Sequence, residues 1–264
     1  MRVPTLRPAP TCAYARRVRP FVLLATRTDD AVADAEYDAF RRYGGLSEDE
    51  LVRVRLEQRP LAEALPGFDP AACSGLIVGG GPFNASDPEE SKSDVQRRAE
   101  AELGEVLDDV VARDLPLLGA CYGVGLLGTR FGGVVDATYA EPIGAVPVTL
   151  TDEGRTDPLL RGLPPTFDAF VGHKEACAVL PPGAVLLASS PGCPVQLFRL
   201  GWNVYATQFH PELDVPGIVE RIRAYRYDGY YPPAEVDAVV TSIEGADVTV
   251  PGRIVARFVE RFAR

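Results

Sequence analysis

The chain holds few of the residues that build metal sites and disulfide frameworks. Its 264 residues include two histidines and five cysteines. The cysteines, at positions 12, 73, 121, 177 and 193, are odd in number, far apart and in no CxxC pair, which favours neither a disulfide framework nor a zinc cluster. Neither histidine has a ligand-like neighbour at the usual spacing. We therefore predict no metal, no cofactor and a reducing, cytoplasmic environment.

Positive charge and long apolar runs are also scarce. Lysine and arginine number 27 against 37 acidic residues, for a formal net charge of −10. This balance argues against a nucleic-acid partner, which normally needs a clustered basic surface. The apolar run FVLLAT, near the N-terminus, is too short for a membrane span. We read the Arg- and Pro-rich residues 1–18 as a flexible extension and residues 19–264 as a single domain.

The remaining sequence alternates apolar bursts with amphipathic stretches, a rhythm typical of a parallel sheet covered by helices. Predicted strands cover residues 19–27, 51–58, 74–82 and 115–120, and predicted helices cover 29–43, 94–114, 215–227 and 252–263. Residues 141–210 have shorter strands and more turns. They predict a mainly antiparallel extension that returns to the sheet.

One cysteine stands at the end of a buried strand, in the segment LLGACYGVG. Gly119 and Gly123 flank Cys121 and would allow a sharp turn from strand to helix that exposes the thiol. The N-terminus of the following helix is expected to lower the thiol pKa. The alternative is an ordinary buried core cysteine.

A base for such a nucleophile is offered by the segment ATQFHPEL. His210 and Glu212 are two residues apart, so in extended backbone both side chains point to one face. His210 would accept the Cys121 proton while Glu212 orients the imidazole, as in a Cys-His-Glu triad. The alternative is a surface turn after a strand.

A run of three glycines, Gly79 to Gly81, closes another buried strand and precedes Pro82. It would let the backbone approach a substrate carbonyl. The N–H groups of Gly81 and Tyr122 would then form an oxyanion hole, with Gly80 beside them. A tight turn without a catalytic donor is the alternative.

Strand–GGP, GxCxGxx, DPLLxGLP…GHxxxC and QFHPE, in that order, resemble the class I glutamine amidotransferase family over roughly residues 20 to 225. The resemblance implies an α/β fold: a flavodoxin-like, mostly parallel sheet with helices on both faces and a small antiparallel extension. It also implies a glutaminase in which Cys121 is the nucleophile, His210 the general acid and base, and Glu212 its orienting carboxylate. Gly81 and Tyr122 would supply the backbone donors.

Two departures from the family pattern concern substrate binding. The family motif C-x-G-x-Q has Gly125 in place of its glutamine, and Lys174 replaces the glycine that often follows the middle histidine. Lys174 would either recognise a carboxylate or form a surface salt bridge with Glu175. His173 would either pack and hydrogen-bond or line the substrate pocket.

The predicted function is hydrolysis of the glutamine side-chain amide, with ammonia supplied to a separate synthase, because 264 residues leave no room for a synthase domain. One alternative is a hydrolase of γ-glutamyl conjugates or peptides, which Gly125 favours. Another is a non-catalytic regulatory subunit of the same fold. The expected partners are glutamine or a γ-glutamyl compound, a separate synthase and a second copy of the chain in a homodimer.

Overall fold

A computed structural model describes residues 19–227 and 232–264. The predicted extension over residues 1–18 lies outside the described residues, and the single domain over residues 19–264 stays a prediction. The strands are β1 (Phe21–Ala25), β2 (Leu51–Arg55), β3 (Gly75–Val78), β4 (Leu117–Ala120), β5 (Val134–Asp136), β6 (Glu141–Leu150), β7 (Thr166–His173), β8 (Ala176–Val179), β9 (Val185–Ser189), β10 (Leu197–Leu200) and β11 (Val204–Thr207). The helices are α1 (Asp30–Gly44), α2 (Leu61–Ala64), α3 (Asp94–Ala112), α4 (Tyr122–Arg130), α5 (Asp152–Thr156), α6 (Val215–Ala224), α7 (Val236–Ile243) and α8 (Gly252–Phe262).

The main sheet of the described residues has the strand order β2-β1-β3-β4-β11-β10-β9-β6-β7. The first five strands are parallel, and every pairing from β11 to β7 is antiparallel. The parallel strands follow the flavodoxin-like order 2-1-3-4-5, in which β11 takes the fifth place. The predicted α/β fold and its antiparallel extension are thereby confirmed.

The helix boundaries follow from local capping chemistry. The carboxylate of Asp29 accepts a hydrogen bond from the Val32 N–H at the start of α1, and Gly45 ends that helix in the left-handed conformation. The hydroxyl of Ser93 accepts from the Gln96 N–H at the start of α3. These caps satisfy backbone groups that would otherwise lack partners, so α1 and α3 begin close to the predicted positions.

The core lies on both faces of the sheet. On one face, α1 and α8 cover β1, and the rings of Phe21 and Phe258 pack with centroids 5.9 Å apart. On the other face, α3 and α4 pack against Val78 and its neighbours. The sequence analysis missed α7, which packs on α6 and β6. Among the described residues, no helix is long and apolar enough to cross a membrane.

Candidate active site

Cys121 lies at a sharp turn between β4 and α4. Its backbone has φ 51° and ψ −86°, a left-handed conformation that is strained for a residue with a side chain. The Cys121 N–H donates to the Thr207 carbonyl at 2.7 Å, which ties the turn to the end of β11. A Cβ on Gly119 would lie only 3.1 Å from the Gly123 Cα. Gly119 therefore lets the strand and the helix meet closely, whereas a Cβ on Gly123 would lie at an ordinary contact distance of 3.8 Å from Val78 Cβ.

The carboxylate and imidazole that follow β11 form a bonded pair. His210 Nδ1 lies 2.8 Å from Glu212 Oε1, and both side chains are buried. With a proton on Nδ1, His210 donates to Glu212 and leaves the lone pair on Nε2 to act as a base. The expected common orientation of the two side chains is present. Cys121 and His210 also line one cavity, together with Gly81.

Burial dominates the electrostatics of this group. Burial lowers the pKa of His210 to about 4, although Glu212 opposes the shift. Burial would raise the pKa of Glu212, but its contacts with His210 and Arg221 outweigh burial and bring it to about 2. Burial raises the pKa of the Cys121 thiol to about 12, against the stabilising charge of Arg27. The expectation that the helix N-terminus lowers this pKa is wrong, because desolvation of the thiolate is the larger effect.

Two buried arginines lie beside the pair formed by His210 and Glu212. Neither was predicted from the sequence. Arg221 Nη1 lies 3.0 Å from His210 Nδ1. When Nδ1 carries the proton it cannot accept from Arg221, which then donates from Nη1 and Nη2 to Glu212 Oε1, each at 3.3 Å. Arg27 Nε donates to Glu36 Oε1 at 3.0 Å, and its Nη1 donates to the Tyr225 hydroxyl at 2.9 Å. The charges of the two arginines are balanced by those of Glu36 and Glu212. Each charge that the fold buries here has an opposite charge beside it.

The three glycines after β3 make room for polar side chains that approach from β1 and α1. A Cβ on Gly79 would collide with the Glu36 carboxylate, one on Gly80 with the guanidinium of Arg27, and one on Gly81 with the hydroxyl of Thr26. A Cβ on Gly80 would also lie 2.8 Å from His210 Cε1. The small residues thus allow a layer of polar groups to pack against this turn. They also bring Gly81 beside Tyr122, whose Cδ1 would lie 3.6 Å from an added Cβ.

The two residues predicted to supply the oxyanion donors, Gly81 and Tyr122, both lie close to Cys121. The N–H of Tyr122 is in the first turn of α4, where backbone donors have no acceptor within the helix. Gly81 lines the cavity that contains Cys121. Their role as the two donors stays a prediction, as do the catalytic roles of Cys121, His210 and Glu212.

The space above Gly125 is filled by a carboxylate. A Cβ on Gly125 would collide with Glu175 Oε1, and the two Glu175 oxygens accept from the N–H groups of Ala85 and Ser86, each at 2.8 Å. Glu175 is buried, and both alternatives for Lys174 stay predictions. Lys174 itself is exposed. Glu175, which the substrate-binding prediction did not include, occupies the place where the family's glutamine would extend.

His173 packs in a second group of buried polar side chains. Its Nδ1 lies 2.9 Å from the Glu175 carbonyl oxygen and its Nε2 lies 3.0 Å from Glu141 Oε2, which also accepts from Gln196 Nε2 at 2.7 Å. His173 is not among the residues that line the Cys121 cavity. Of the two alternatives for His173, these contacts agree with packing and hydrogen bonding and not with lining the substrate pocket.

Cys193 completes that second group. Single ligand atoms of Glu141, His173 and Cys193 lie within 4.8 Å of one another, a combination able to hold a metal ion. The sequence spacing showed no ligand-like neighbour for either histidine, because these three residues come from distant segments of the chain. The chain therefore brings together two sets of cysteine, histidine and glutamate. In the second set the thiol is fully buried, its Sγ lies 3.5 Å from the Val195 carbonyl oxygen, and burial raises its pKa to about 11.

Glu36 and Arg221 carried a signal that the sequence analysis did not use. Glu36 lies on the buried face of α1 between Ala33 and Phe40, and Arg221 lies on the buried face of α6 beside Ile222. A charged residue at a buried helical position costs stability unless it is paired. Such positions therefore mark a buried ionic site. Arg27 carried no comparable signal, because it follows a strand in an irregular segment.

Comparison with known proteins identifies the family. The model of the family described as glutamine amidotransferase class-I matches residues 48–216, well over half of the chain. The chain therefore belongs to the class I glutamine amidotransferases. This confirms the resemblance noted in the sequence and the predicted class of enzyme, a glutamine amidotransferase that acts as an amidohydrolase.

Curated relatives are GMP synthases described as glutamine-hydrolysing. The chain is 29% identical over 181 residues to that of Thermosipho africanus, a match that covers 65% of this chain and 31% of the relative. It is 34% identical over 154 residues to that of Aeropyrum pernix, covering 58% of this chain and 26% of the relative. The chain thus spans about a third or less of the length of these relatives.

Solved structures share the fold. A glutamine amidotransferase from Thermotoga maritima superposes with a TM-score of 0.72 at 17% identity and covers 92% of this chain and 98% of its own. A glutamine amidotransferase from Methylobacillus flagellatus gives a TM-score of 0.67 at 21% identity, covering 93% and 94%.

Proposed function

We propose that this chain hydrolyses the side-chain amide of glutamine through a thioester on Cys121 and supplies the ammonia to a synthase on a separate chain. The observation that carries the proposal is the shared cavity of Cys121 and His210, with Glu212 bonded to the far side of the imidazole. Family membership supports glutamine as substrate. The synthase partner is supported by the relatives, in which the matched part is a fraction of a GMP synthase.

The chemistry assigns one role to each group. His210 Nε2 takes the Cys121 proton as the sulfur attacks the carboxamide carbon, and Glu212 stabilises the resulting imidazolium. The N–H groups of Gly81 and Tyr122 donate to the oxygen of the tetrahedral intermediate. His210 then protonates the departing ammonia. Water hydrolyses the thioester, and the sulfur regains its proton.

The resting site holds a neutral thiol and a neutral imidazole, because burial disfavours both charged forms. Proton transfer from sulfur to nitrogen is therefore coupled to substrate attack. Cys121 is half-buried and reaches the cavity, whereas Cys193 is fully buried. This difference favours Cys121 over Cys193 as the nucleophile.

Gly125 and Glu175 favour a second candidate, hydrolysis of γ-glutamyl conjugates, because the usual glutamine contact is replaced by a carboxylate bonded to backbone N–H groups. Ammonia release from glutamine, and its increase when a synthase is added, distinguish the two functions. Turnover of γ-glutamyl amines with little turnover of glutamine would support the second. A cytoplasmic location and a homodimer remain predictions.

The test compares the wild-type chain with Cys121→Ala and the control Cys193→Ala. Cys121→Ala is expected to abolish ammonia release from glutamine while the circular dichroism spectrum stays unchanged. Cys193→Ala is expected to retain turnover. Activity that survives in Cys121→Ala would refute the proposed mechanism, and a non-catalytic regulatory subunit would show no turnover in any form.

A further inference from the structure

The second set of cysteine, histidine and glutamate has no part in the proposed hydrolysis. Glu141 is the first residue of β6, His173 is the last residue of β7, and these two residues are paired across the sheet. Cys193 lies between β9 and β10. The side chains of Glu141 and His173 are 9% and 1% exposed, and Cys193 is fully buried. The fold therefore encloses a carboxylate, an imidazole and a thiol away from the catalytic pair.

The hydrogen bonds of His173 require a cation beside its ring. Nδ1 lies 2.9 Å from the Glu175 carbonyl oxygen, which only accepts, so Nδ1 carries a proton and donates it. A neutral imidazole has no second proton, so its Nε2 presents a lone pair to Glu141 Oε2 at 3.0 Å. Two lone pairs at this distance repel each other unless a proton or a metal ion lies between them.

Gln196 offers a fourth ligand at the same point. Its side chain is fully buried, and its Nε2 donates to Glu141 Oε2 at 2.7 Å. Its Oε1 has no hydrogen-bond partner among residues 19–227 and 232–264. A buried amide oxygen without a partner is costly, and no bond to Oε1 holds the amide in this orientation. Half a turn of the amide brings the oxygen to the place beside Glu141, where a cation would bind both oxygens.

The set of donor atoms suits zinc. Zinc binds histidine nitrogen, cysteine thiolate and carboxylate oxygen, and it prefers four ligands in a tetrahedron. Bonds of about 2.0 to 2.3 Å place tetrahedral ligand atoms roughly 3.3 to 3.8 Å apart. The ligand atoms of Glu141, His173 and Cys193 lie within 4.8 Å of one another, so small side-chain movements close the site. One carboxylate and one thiolate also balance the two charges of Zn²⁺, so that no net charge is buried.

The surroundings orient the ligands and provide a way in. The bond from His173 Nδ1 to a backbone carbonyl is the contact that metal-bound histidines commonly make with their other ring nitrogen. Residues Ser190 to Cys193 form a turn in which the Ser190 N–H donates to the Cys193 carbonyl at 2.9 Å. Gly192 in this turn is exposed, and a Cβ on it would lie 2.5 Å from Glu141 Oε1. The turn therefore covers the carboxylate, and its opening admits an ion.

We propose that Glu141, His173 and Cys193 form a structural zinc site, with the side-chain oxygen of Gln196 as the fourth ligand. Zn²⁺ forms bonds to Nε2, to the two oxygens and to Sγ. It displaces two protons to solvent, one from between Nε2 and Glu141 Oε2 and one from the thiol. The inference replaces the expectation of no metal that the sequence spacing gave, and it does not rest on the proposed function.

The bound ion would stabilise the segment that borders the catalytic cavity. Val171 and Gly172 line that cavity and immediately precede His173 in β7. Glu175, whose carbonyl accepts from His173, carries the carboxylate that fills the space above Gly125. Joining β6, β7 and the turn before β10 through one ion therefore fixes this wall of the cavity without placing the metal among the reacting groups.

The test measures zinc bound to the full chain. The chain, without a histidine tag, is incubated with excess Zn²⁺, dialysed and analysed by inductively coupled plasma mass spectrometry. We expect one zinc ion per wild-type chain. In competition with a chromophoric chelator, Cys193→Ala should bind zinc about a hundredfold more weakly or worse, since it lacks a ligand. Cys177→Ala removes another fully buried thiol and is the matched control, which should bind zinc as the wild type does.

A further variant distinguishes the two sets of cysteine, histidine and glutamate. Cys121→Ala removes the thiol of the catalytic set and is expected to keep its zinc ion. Loss of zinc in Cys121→Ala, unchanged affinity in Cys193→Ala, or a wild type that retains less than a stoichiometric amount of zinc would each overturn the inference. None of these results affects the proposed glutaminase function, which is tested separately by ammonia release.

A second measurement covers the case in which Cys193→Ala does not fold. Co²⁺ is added to a chain that carries both Cys121→Ala and Cys177→Ala. We expect a thiolate-to-cobalt charge-transfer band in the near ultraviolet and the intense visible bands of a tetrahedral ion, and their absence would contradict the proposed ligands. Zn²⁺ should also raise the thermal unfolding midpoint of the wild type relative to the chain with chelator. An unchanged midpoint would contradict a structural role.

Discussion

The depressed pKa of His210 predicts a specific loss of stability in acid. In the unfolded chain the imidazole binds a proton below its ordinary pKa of 6.5, whereas in the folded chain it does so only near 4. As the pH falls from 6.5 to 4, the unfolded state therefore binds more protons, and folding is disfavoured. The stability that depends on neutral His210 is fully present above pH 6.5 and is lost progressively down to pH 4.

The size of this loss follows from the shift. A displacement from 6.5 to about 4 corresponds, at about 1.4 kcal/mol per pKa unit, to about 3 kcal/mol in the free energy of unfolding. Glu212 adds to the same trend at lower pH, because its pKa is also depressed and the stability linked to its charged form is lost as the pH falls below 4.5.

Urea unfolding followed by circular dichroism, at a series of pH values from 6.5 to 4, measures this term. His210→Asn keeps an N–H that can face Glu212 but cannot titrate, so the variant should lose about 3 kcal/mol less than the wild type over that range. The matched control is His173→Asn, the chain's other histidine, which should retain the His210-dependent loss because His210 is still present. Equal losses in wild type and His210→Asn would refute the assigned cause.

Three further predictions concern the thiol and the glycines around it. Without substrate, alkylation of Cys121 by iodoacetamide, followed by peptide mass spectrometry, should rise about tenfold per pH unit from neutral pH upward, because its pKa is about 12; a plateau at neutral pH would contradict the burial effect. Gly80→Ala should reduce turnover at least tenfold and cost about 1 to 3 kcal/mol of stability, since the added methyl displaces the guanidinium of Arg27; a fully active variant would show that this packing is unimportant. Gly125→Gln, introduced alone, should raise KM or unfold the chain, because the new side chain collides with Glu175. Adding Glu175→Gly should rescue that variant. Additive losses in the double variant, measured by kinetics and thermal unfolding, would show that the two positions do not compete for one space.

Much of the parallel half of the fold follows from the sequence. The buried runs that became β1, β3 and β4 are short, apolar and followed by glycine or polar turns, so their type and order were predictable. Helix α7 was missed because it follows a Pro-rich turn and spans only eight residues. Its buried side chains pack against α6 and β6, a tertiary contact that leaves little periodic signal in so short a segment.

The site was predictable where chemistry is local and unpredictable where it depends on packing. His210 and Glu212 are two residues apart, so extended backbone alone brings them together. Burial at Cys121 reverses the expected direction of its pKa shift, and the sequence gives no measure of desolvation at a strand end. The contact of Glu175 with the space above Gly125 joins residues fifty positions apart and required the folded chain.

The central claim is that Cys121, and not Cys193, is the reacting thiol. A diazo-ketone analogue of glutamine, incubated with the chain and followed by peptide mass spectrometry, tests it most directly. We expect one covalent adduct per chain, located on Cys121, that is lost in His210→Asn. An adduct on Cys193, or no adduct on Cys121 under conditions in which glutamine is hydrolysed, would contradict it.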